Sequence, residues 1–356
     1  MKYALIGCGR ISKNHILAAK KNNLDIVAVC DIDPDKMKLL KKANDIGEKI
    51  SEYSDYKRMI NENKLDLVSI ATESSSHASI ALYCINHGIN IIVEKPVALS
   101  MADVDEMIIS AKKNNVKVSV CHQNRFNIAV MKTRQAIEQK RLGKISHGVI
   151  NIRWNRNMDY YKQATWRGTW QHDGGALMNQ CIHGIDLVRW MLGGEIDEVY
   201  GIINNRLHSY LEVEDLGVAL IKFKNGAVGI IEGTTNIYKK NLEETLCLFG
   251  ENGIIKLGGI SANTIDIWEL NDEIQDDYGM AGLNEIIEDV YGNGHISLFA
   301  DVIDSIQNNR KPYVDIYDGR DALELVLAIY MSHKYGKPIK LPISDFSTNS
   351  MITTAI

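Results

Sequence analysis

Short apolar runs recur through the first third of the chain: YALIG at 3–7, DIVAVCD at 25–31, LDLVSIAT at 65–72, NIIVEKP at 90–96 and VKVSVCH at 116–122. Runs of this length, rich in valine and isoleucine, suit strands buried on both faces. Charged amphipathic stretches such as ISKNHILAAKKN and DPDKMKLLKKAND separate them and read as helices. This alternation predicts a parallel sheet wound with helices, and the right-handed crossover fixes its topology. No other feature restricts the fold so tightly.

After residue 122 the texture changes. A helix-like segment over 128–142 ends at Gly143, and then KISHGVINIRWNR, DEVYGIINNRL, EDLGVALIKFKNGAVGIIEGTTN, ETLCLFGENGIIKLGG and NTIDIWEL alternate with strand periodicity. Lys224-Asn225-Gly226 and Glu251-Asn252-Gly253 carry the Asn-Gly hairpin signal. Helices are expected near 294–309 and 318–335. The expectation is an α/β protein: a parallel nucleotide-binding domain over 1–122, then an α+β domain over 123–356 with a large, mostly antiparallel sheet and helices on one face.

Composition removes whole classes of function. The 356 residues carry a formal net charge of −5 with cations scattered, so nothing favours a nucleic-acid partner. No window approaches ~18 uninterrupted apolar residues, so no membrane span is expected. The N-terminal apolar run is too short for a secretory leader, and a cytoplasmic location is expected. The cysteines at 8, 30, 84, 121, 181 and 247 include no CxxC and no Cys/His ligand spacing, so neither a disulfide framework nor a metal site is indicated.

Gly7-Cys8-Gly9-Arg10-Ile11-Ser12 stands directly after the first run and before a helix. Two glycines there let the chain turn tightly and let backbone amides approach a pyrophosphate at the helix's positive end. Asp31 closes the second run 22 residues after Gly9. An acid at that place grips an adenosine ribose and repels a 2′-phosphate, which favours NAD over NADP in a Rossmann domain. Glu94-Lys95-Pro96 ends another run, and ligands of open α/β sheets lie beyond the carboxyl ends of strands, which aims Lys95 at the cofactor crevice. Thr72 ends a further run, and the amides of Glu73-Ser74-Ser75-Ser76-His77 are candidates for cofactor contact. His77 itself reads as a packing or capping residue rather than a catalyst.

A second constellation is GGALMNQCIHGID at 174–186. On an α-helix Asn179 and His183 share a face, with Asp186 three residues further on. The segment alone fits either a catalytic face or a core helix with tolerated polar residues.

GCGRIS, Asp31, EKP at 94–96, HQNRF at 122–126 and the GG…N…H…D stretch together resemble the Gfo/Idh/MocA oxidoreductases, over essentially the whole chain. CHQNRFN at 121–127, WRGTW at 166–170 and the 174–186 stretch are similar to UDP-N-acetylglucosaminuronate 3-dehydrogenases of surface-polysaccharide synthesis. The resemblance implies hydride transfer from a sugar carbon to NAD, with Lys95 and His183 beside the reacting hydroxyl. It implies cofactor contacts from Gly7, Gly9, Arg10, Ile11 and Asp31, from Thr72, Ser75 and His77, from Glu94 and Lys95, and from Gln123. Trp166 and Arg167 match a pair that in relatives reaches over the cofactor from the second domain. For a nucleotide sugar, Arg153, Arg156, Tyr160 and Arg167 are candidate phosphate partners, with Gly168, Thr169, Asn179 and His183 beside the sugar. The resemblance also implies a homodimer or homotetramer formed through the second domain's sheet, and in-place recycling of NAD with 2-oxoglutarate. Asn179 stands where the family usually has aspartate, so the expected carboxylate–histidine pair is missing, and Lys95 and His183 remain alternatives for the base. Two further readings are a dehydrogenase of a free polyol such as an inositol, and an NAD-binding sensor without catalysis.

Overall fold

The computed structural model describes residues 1–47, 49–271, 279–287 and 290–356, and the chain falls into two compact units. The first holds Met1–His122 together with His295–Arg320, so the expected single break near 122 misses a returning segment. Its strands are β1 (Lys2–Ile6), β2 (Asp25–Cys30), β3 (Ser51–Tyr53), β4 (Leu67–Ile70), β5 (Asn90–Val93) and β6 (Val118–Val120). They form one parallel sheet in the order β3-β2-β1-β4-β5-β6, the doubly wound arrangement. Helices α1 (Ser12–Lys21), α2 (Pro34–Ala43), α3 (Tyr56–Glu62), α4 (His77–Asn86) and α5 (Met101–Asn114) lie between successive strands. Strands β4 and β6 are buried at every position, Ser69 and Ser119 included. The returning segment is tied to the sheet's end, where the Ser119 hydroxyl donates to the Val314 carbonyl at 2.8 Å.

The second unit holds Gln123–Gly294 and Asp321–Ile356. Its elements begin with α6 (Ile128–Glu138), β7 (Ile145–Arg153), α7 (Met158–Tyr161), a π-helical turn at Leu177–Cys181, and α8 (Ile182–Met191). Strands β8 (Ile196–Asn204), β9 (Leu216–Phe223), β10 (Val228–Thr234), β11 (Glu243–Gly250), β12 (Gly253–Gly258) and β13 (Thr264–Leu270) follow. The chain then forms α9 (Gly294–Gln307), whose residues from His295 onward belong to the first unit, α10 (Ile316–Tyr335), and the short β14 (Ile339–Lys340). The eight strands run β13-β12-β11-β7-β10-β9-β8-β14, antiparallel except where β7 meets β10. Both Asn-Gly turns connect antiparallel neighbours, β9 with β10 and β11 with β12.

Strand register sorts this sheet into two faces. One row of aligned residues, Gly201, Ala219, Ile231 and Ile150, lies under the helices. Gly201 makes room for Ile329 of α10, and Gly184 of α8 makes room for Ile152 of β7; a Cβ at either would come within 2.8 Å of those side chains. The neighbouring row, Tyr200, Leu220, Ile230, Val149 and Cys247, points the other way. That face has exposed Tyr200, Ile202, Val218 and Leu220. An apolar sheet face left open to water is unusual for a chain that stays alone.

Candidate active site

In the first unit the glycine turn follows β1. Gly7 has φ +95°, and a Cβ there would sit 2.4 Å from the Ala71 carbonyl oxygen, so this glycine serves close packing against the end of β4. Gly9 differs: nothing lies within 4 Å of a Cβ built on it. The N-terminus of α1 has no side-chain cap and no acidic residue in its first turn. Open space before an uncapped, positively polarised helix end is what a pyrophosphate needs. Asp31 accepts hydrogen bonds from the backbone of Cys8 (2.7 Å) and Asp33 (2.9 Å), which fixes the acid at the tip of β2. These features fit an NAD molecule.

Two side chains expected at the cofactor, His77 and Glu94, are engaged within the protein. His77 is buried, with Nδ1 2.7 Å from the Pro96 carbonyl and Nε2 3.2 Å from that of Thr72. Its ring pins the 72–77 loop to the Glu94-Lys95-Pro96 turn and presents no nitrogen to a cofactor. Burial also pushes the His77 imidazole below its ordinary titration range. The Glu94 side chain points into the interior, onto His15 and His295, and not into a cofactor site. Lys95 is half-buried, and Ser75 is exposed.

In the second unit the stretch at 174–186 is not one regular helix. Gly174 and Gly175 enter it with φ of +83° and +95°. What presses on Gly175 is the Glu214 carboxylate, 1.9 Å from where a Cβ would be, so this glycine accommodates a protein group rather than a ligand. A π turn then spans Leu177–Cys181 before α8 carries His183 and Asp186. Such turns shift the helical register by one residue and recur at functional sites. Asn179 bonds Asp173 through its amide nitrogen and accepts from Gln180 at 2.8 Å.

His183 is buried, and the Gln123 amide nitrogen lies 3.4 Å from its Nε2. Gln123, expected at the cofactor, is therefore tied to the histidine. Asp186 takes a bidentate ion pair from Arg125, at 2.7 and 2.6 Å, with both side chains sealed from water. Arg125 also stacks over Trp190 at 4.6 Å. Asp186 thus anchors the HQNRF segment to α8, and that anchor brings Gln123 to His183.

Gln180 links the π turn outward. Its oxygen accepts from Arg156 Nε at 2.7 Å, and its nitrogen donates to the Tyr160 hydroxyl at 2.8 Å. Arg167 donates to the same hydroxyl, and its guanidinium stacks over the rings of Tyr160 (4.3 Å) and Trp166 (4.6 Å). Arg156 covers the same tyrosine at 5.1 Å. Among the described residues neither guanidinium donates to a carboxylate: Arg156 bonds Gln180, Asn155 and Asn241, and Arg167 bonds Tyr160. Arg167 Nε is buried with no partner. The Tyr160 oxygen accepts both bonds, which leaves its own hydroxyl proton to give. The group is rich in donors and short of acceptors, which is the chemistry of an anion site.

Three sequence candidates lie outside this group. Arg153 is on the open face of the sheet, opposite α8, where it pairs with Glu232 (2.5 Å) and Glu243 (2.6 Å). Its fork is filled by two carboxylates and is not available for a phosphate. The Gly168 amide donates to Asp173 at 2.7 Å, and the Thr169 hydroxyl donates to the Trp166 carbonyl at 2.8 Å, so both build the loop that carries Arg167. Asp173 and Gln180 are the residues that sequence reasoning missed. Asp173 stands between WRGTW and the double glycine, a position with no motif spacing to mark it.

A doubly wound sheet with an open glycine turn and an acid at the tip of β2, in a chain that also carries a sheet-and-helix unit with a buried histidine, is the build of an NAD-dependent oxidoreductase. The chain belongs to the Gfo/Idh/MocA family: residues 1–122 match its NAD-binding Rossmann fold, and residues 130–256 match its C-terminal domain. It is similar to the WlbA dehydrogenase of Bordetella pertussis in complex with NADH and UDP-GlcNAcA, with 33% identity and a TM-score of 0.87, covering 96% of this chain and 99% of that one. The Chromobacterium violaceum WlbA complex with the same ligands is alike at 33% identity, TM-score 0.88 and 97% of each chain. Among curated proteins, the myo-inositol 2-dehydrogenase of Thermotoga maritima is 26% identical over 96% of this chain and 98% of its own. The protein is an NAD-dependent sugar dehydrogenase. No helix among the described residues is long and apolar enough to cross a membrane.

Proposed function

We propose that the protein oxidises the C3 hydroxyl of a UDP-linked N-acetylated sugar, the UDP-N-acetylglucosamine uronate, in making a surface-polysaccharide precursor. The observation that carries this is the Arg156–Tyr160–Arg167 group, two guanidiniums stacked on one phenol that reach no carboxylate among the described residues. A nucleoside diphosphate sugar brings anionic oxygens for such donors, and a neutral polyol does not. The WlbA structures with UDP-GlcNAcA support the same choice. The inositol dehydrogenases among the curated relatives favour a free polyol instead, which is the second reading.

Bound NAD⁺ supplies the hydride acceptor, and the protein must manage the hydroxyl proton. We assign that proton to His183, whose side chain titrates closest to neutral pH by default. As placed, Gln123 donates to His183 Nε2 at 3.4 Å, which leaves that nitrogen an acceptor, and a bond this long is one a substrate hydroxyl can replace. Lys95 is assigned to the alkoxide oxygen as it develops. Asn179, bound to Asp173, holds the π turn that links His183's helix to the arginines.

The test is a comparison of substrates. Purified protein with NAD⁺ should reduce cofactor and form a 3-keto product, identified by mass spectrometry, with UDP-GlcNAcA, more weakly with UDP-GlcNAc, and not with myo-inositol. Turnover of inositol alone would replace this reading by the second. We also propose that the open apolar face of the large sheet seats a second copy, giving a homodimer or homotetramer. A monomer mass by light scattering at micromolar concentration would remove that assignment. Six cysteines that form no disulfide fit a reducing, cytoplasmic setting.

A further inference from the structure

Gln180 is buried in the π turn, three residues before His183, and its amide has a full set of partners. The oxygen accepts from Arg156 Nε at 2.7 Å, and the nitrogen donates to the Tyr160 hydroxyl and to the Asn179 oxygen, each at 2.8 Å. An arginine can only donate, so the amide oxygen must face Arg156 and the nitrogen must face Tyr160. The neighbours therefore fix which way this amide is turned.

That orientation sets both the charge and the proton count of the group around it. Arg167 donates to Tyr160 from its own side, so the phenol oxygen accepts twice and its proton is left to give. Gln180 brings no charge, and among the described residues neither Arg156 nor Arg167 meets a carboxylate. Arg153 in the same unit is the opposite case, because Glu232 and Glu243 neutralise its guanidinium. The difference between these arginines is an amide partner against a carboxylate partner.

We propose that Gln180 is a specificity-determining residue: its amide keeps the Arg156–Tyr160–Arg167 group cationic and supplied with donors, and so selects a substrate bearing a diphosphate over a neutral sugar. The proposal rests on the nucleotide-sugar reading above and names the residue on which that choice turns. A carboxylate in place of this amide would undo both properties. It would form an ion pair with Arg156, and, with no proton of its own to give, it would take the one on Tyr160. Two donors would then be withdrawn from the ligand at once. An apolar side chain of similar length would leave both guanidinium charges and the Tyr160 proton in place.

Calorimetric titration of the full-length, NAD⁺-loaded protein with UDP and with uridine tests this. The wild-type protein should prefer UDP by about tenfold or more, since charge-assisted hydrogen bonds to the phosphates are at stake. Gln180→Glu, with a wild-type unfolding midpoint, should lose that preference, whereas Gln180→Met should keep it to within about threefold. Tyr160→Phe should weaken UDP binding by roughly fivefold alone and by little in the Gln180→Glu background, where the proton it removes is already withdrawn. A UDP preference that survives in Gln180→Glu overturns the proposal, and so do equal losses in the two Gln180 variants or additive losses with Tyr160→Phe. If Gln180→Glu does not fold, Gln180→Met decides alone, and a tenfold loss there overturns the proposal. Wild-type protein that binds uridine as tightly as UDP overturns the nucleotide-sugar reading, and this proposal with it, which separates that failure from the others.

Discussion

Glu94 in the first unit and Glu214 in the second are both buried carboxylates, yet they are held in opposite states. Glu94 has two imidazole donors on one oxygen and a backbone amide on the other. Glu214 receives the Leu177 amide (2.8 Å) and faces the Tyr330 hydroxyl (2.7 Å) on one oxygen, while the other has no partner. Tyr330 has one proton and a second acceptor, the Gly174 carbonyl at 2.6 Å. If that proton goes to Gly174, the contact between Glu214 and Tyr330 needs a proton from the acid itself. Burial pushes the Glu214 carboxyl up to about 8, and the nearby Asp173 charge adds to the rise. Depth is shared; the number of donors and the sign of the neighbouring charge are not. A buried acid is thus a charge device in one unit and a neutral strut under the π turn in the other.

Substitution of Gly175 gives the largest effect expected from this contrast. Gly175→Ala would drive a Cβ into the Glu214 carboxylate at a backbone φ of +95° that alanine resists. The expected loss is roughly 2–4 kcal/mol, combining overpacking with left-handed strain. In a Glu214→Ala background the collision vanishes, and only the backbone share of about 1–2 kcal/mol should remain. Urea unfolding of the four proteins measures this. Equal losses in both backgrounds would mean that Glu214 does not need the glycine.

The same contrast shows what was legible in the sequence. The six-stranded sheet, the glycine turn and Asp31 could be read because strand burial and phosphate approach are written in contiguous residues. Only β3, three residues long, escaped notice. In the second unit the information is long-range. The expected i, i+4 spacing of Asn179 and His183 assumes a regular α-helix, and the π turn at Leu177–Cys181 is a departure that no local sequence signal marks. Arg153 was placed with the phosphate partners because sequence gives strand parity but not which face the helices cover. The group that requires a glycine at 175 sits 39 positions away in sequence, at Glu214. His295 could not be foreseen as a partner of Glu94, since 201 residues separate them.

Glu214→Gln gives the smaller effect, visible in a slope rather than at a single pH. With a folded value of about 8 against an ordinary 4.5, the native state keeps a proton that the unfolded chain has released. Below about 4.5 both states are protonated, and the contribution to stability is complete. Between about 4.5 and 8 the unfolded chain binds fewer protons, so stability falls with rising pH by up to ~1.4 kcal/mol per unit, then levels off. Glutamine cannot ionise, so the variant should lose this slope while keeping whatever constant offset its amide imposes. Glu94 runs the other way: its carboxyl is depressed, so its contribution is present above the ordinary carboxylate range and lost only as pH falls through its own lower value. Glu94→Gln should therefore leave the 4.5–8 window unchanged and flatten the acid limb. Unfolding midpoints from pH 4 to 9 for both variants test the pair together. If Glu214→Gln retains the wild-type slope, Glu214 is ionised in the fold, and the two buried acids are alike after all.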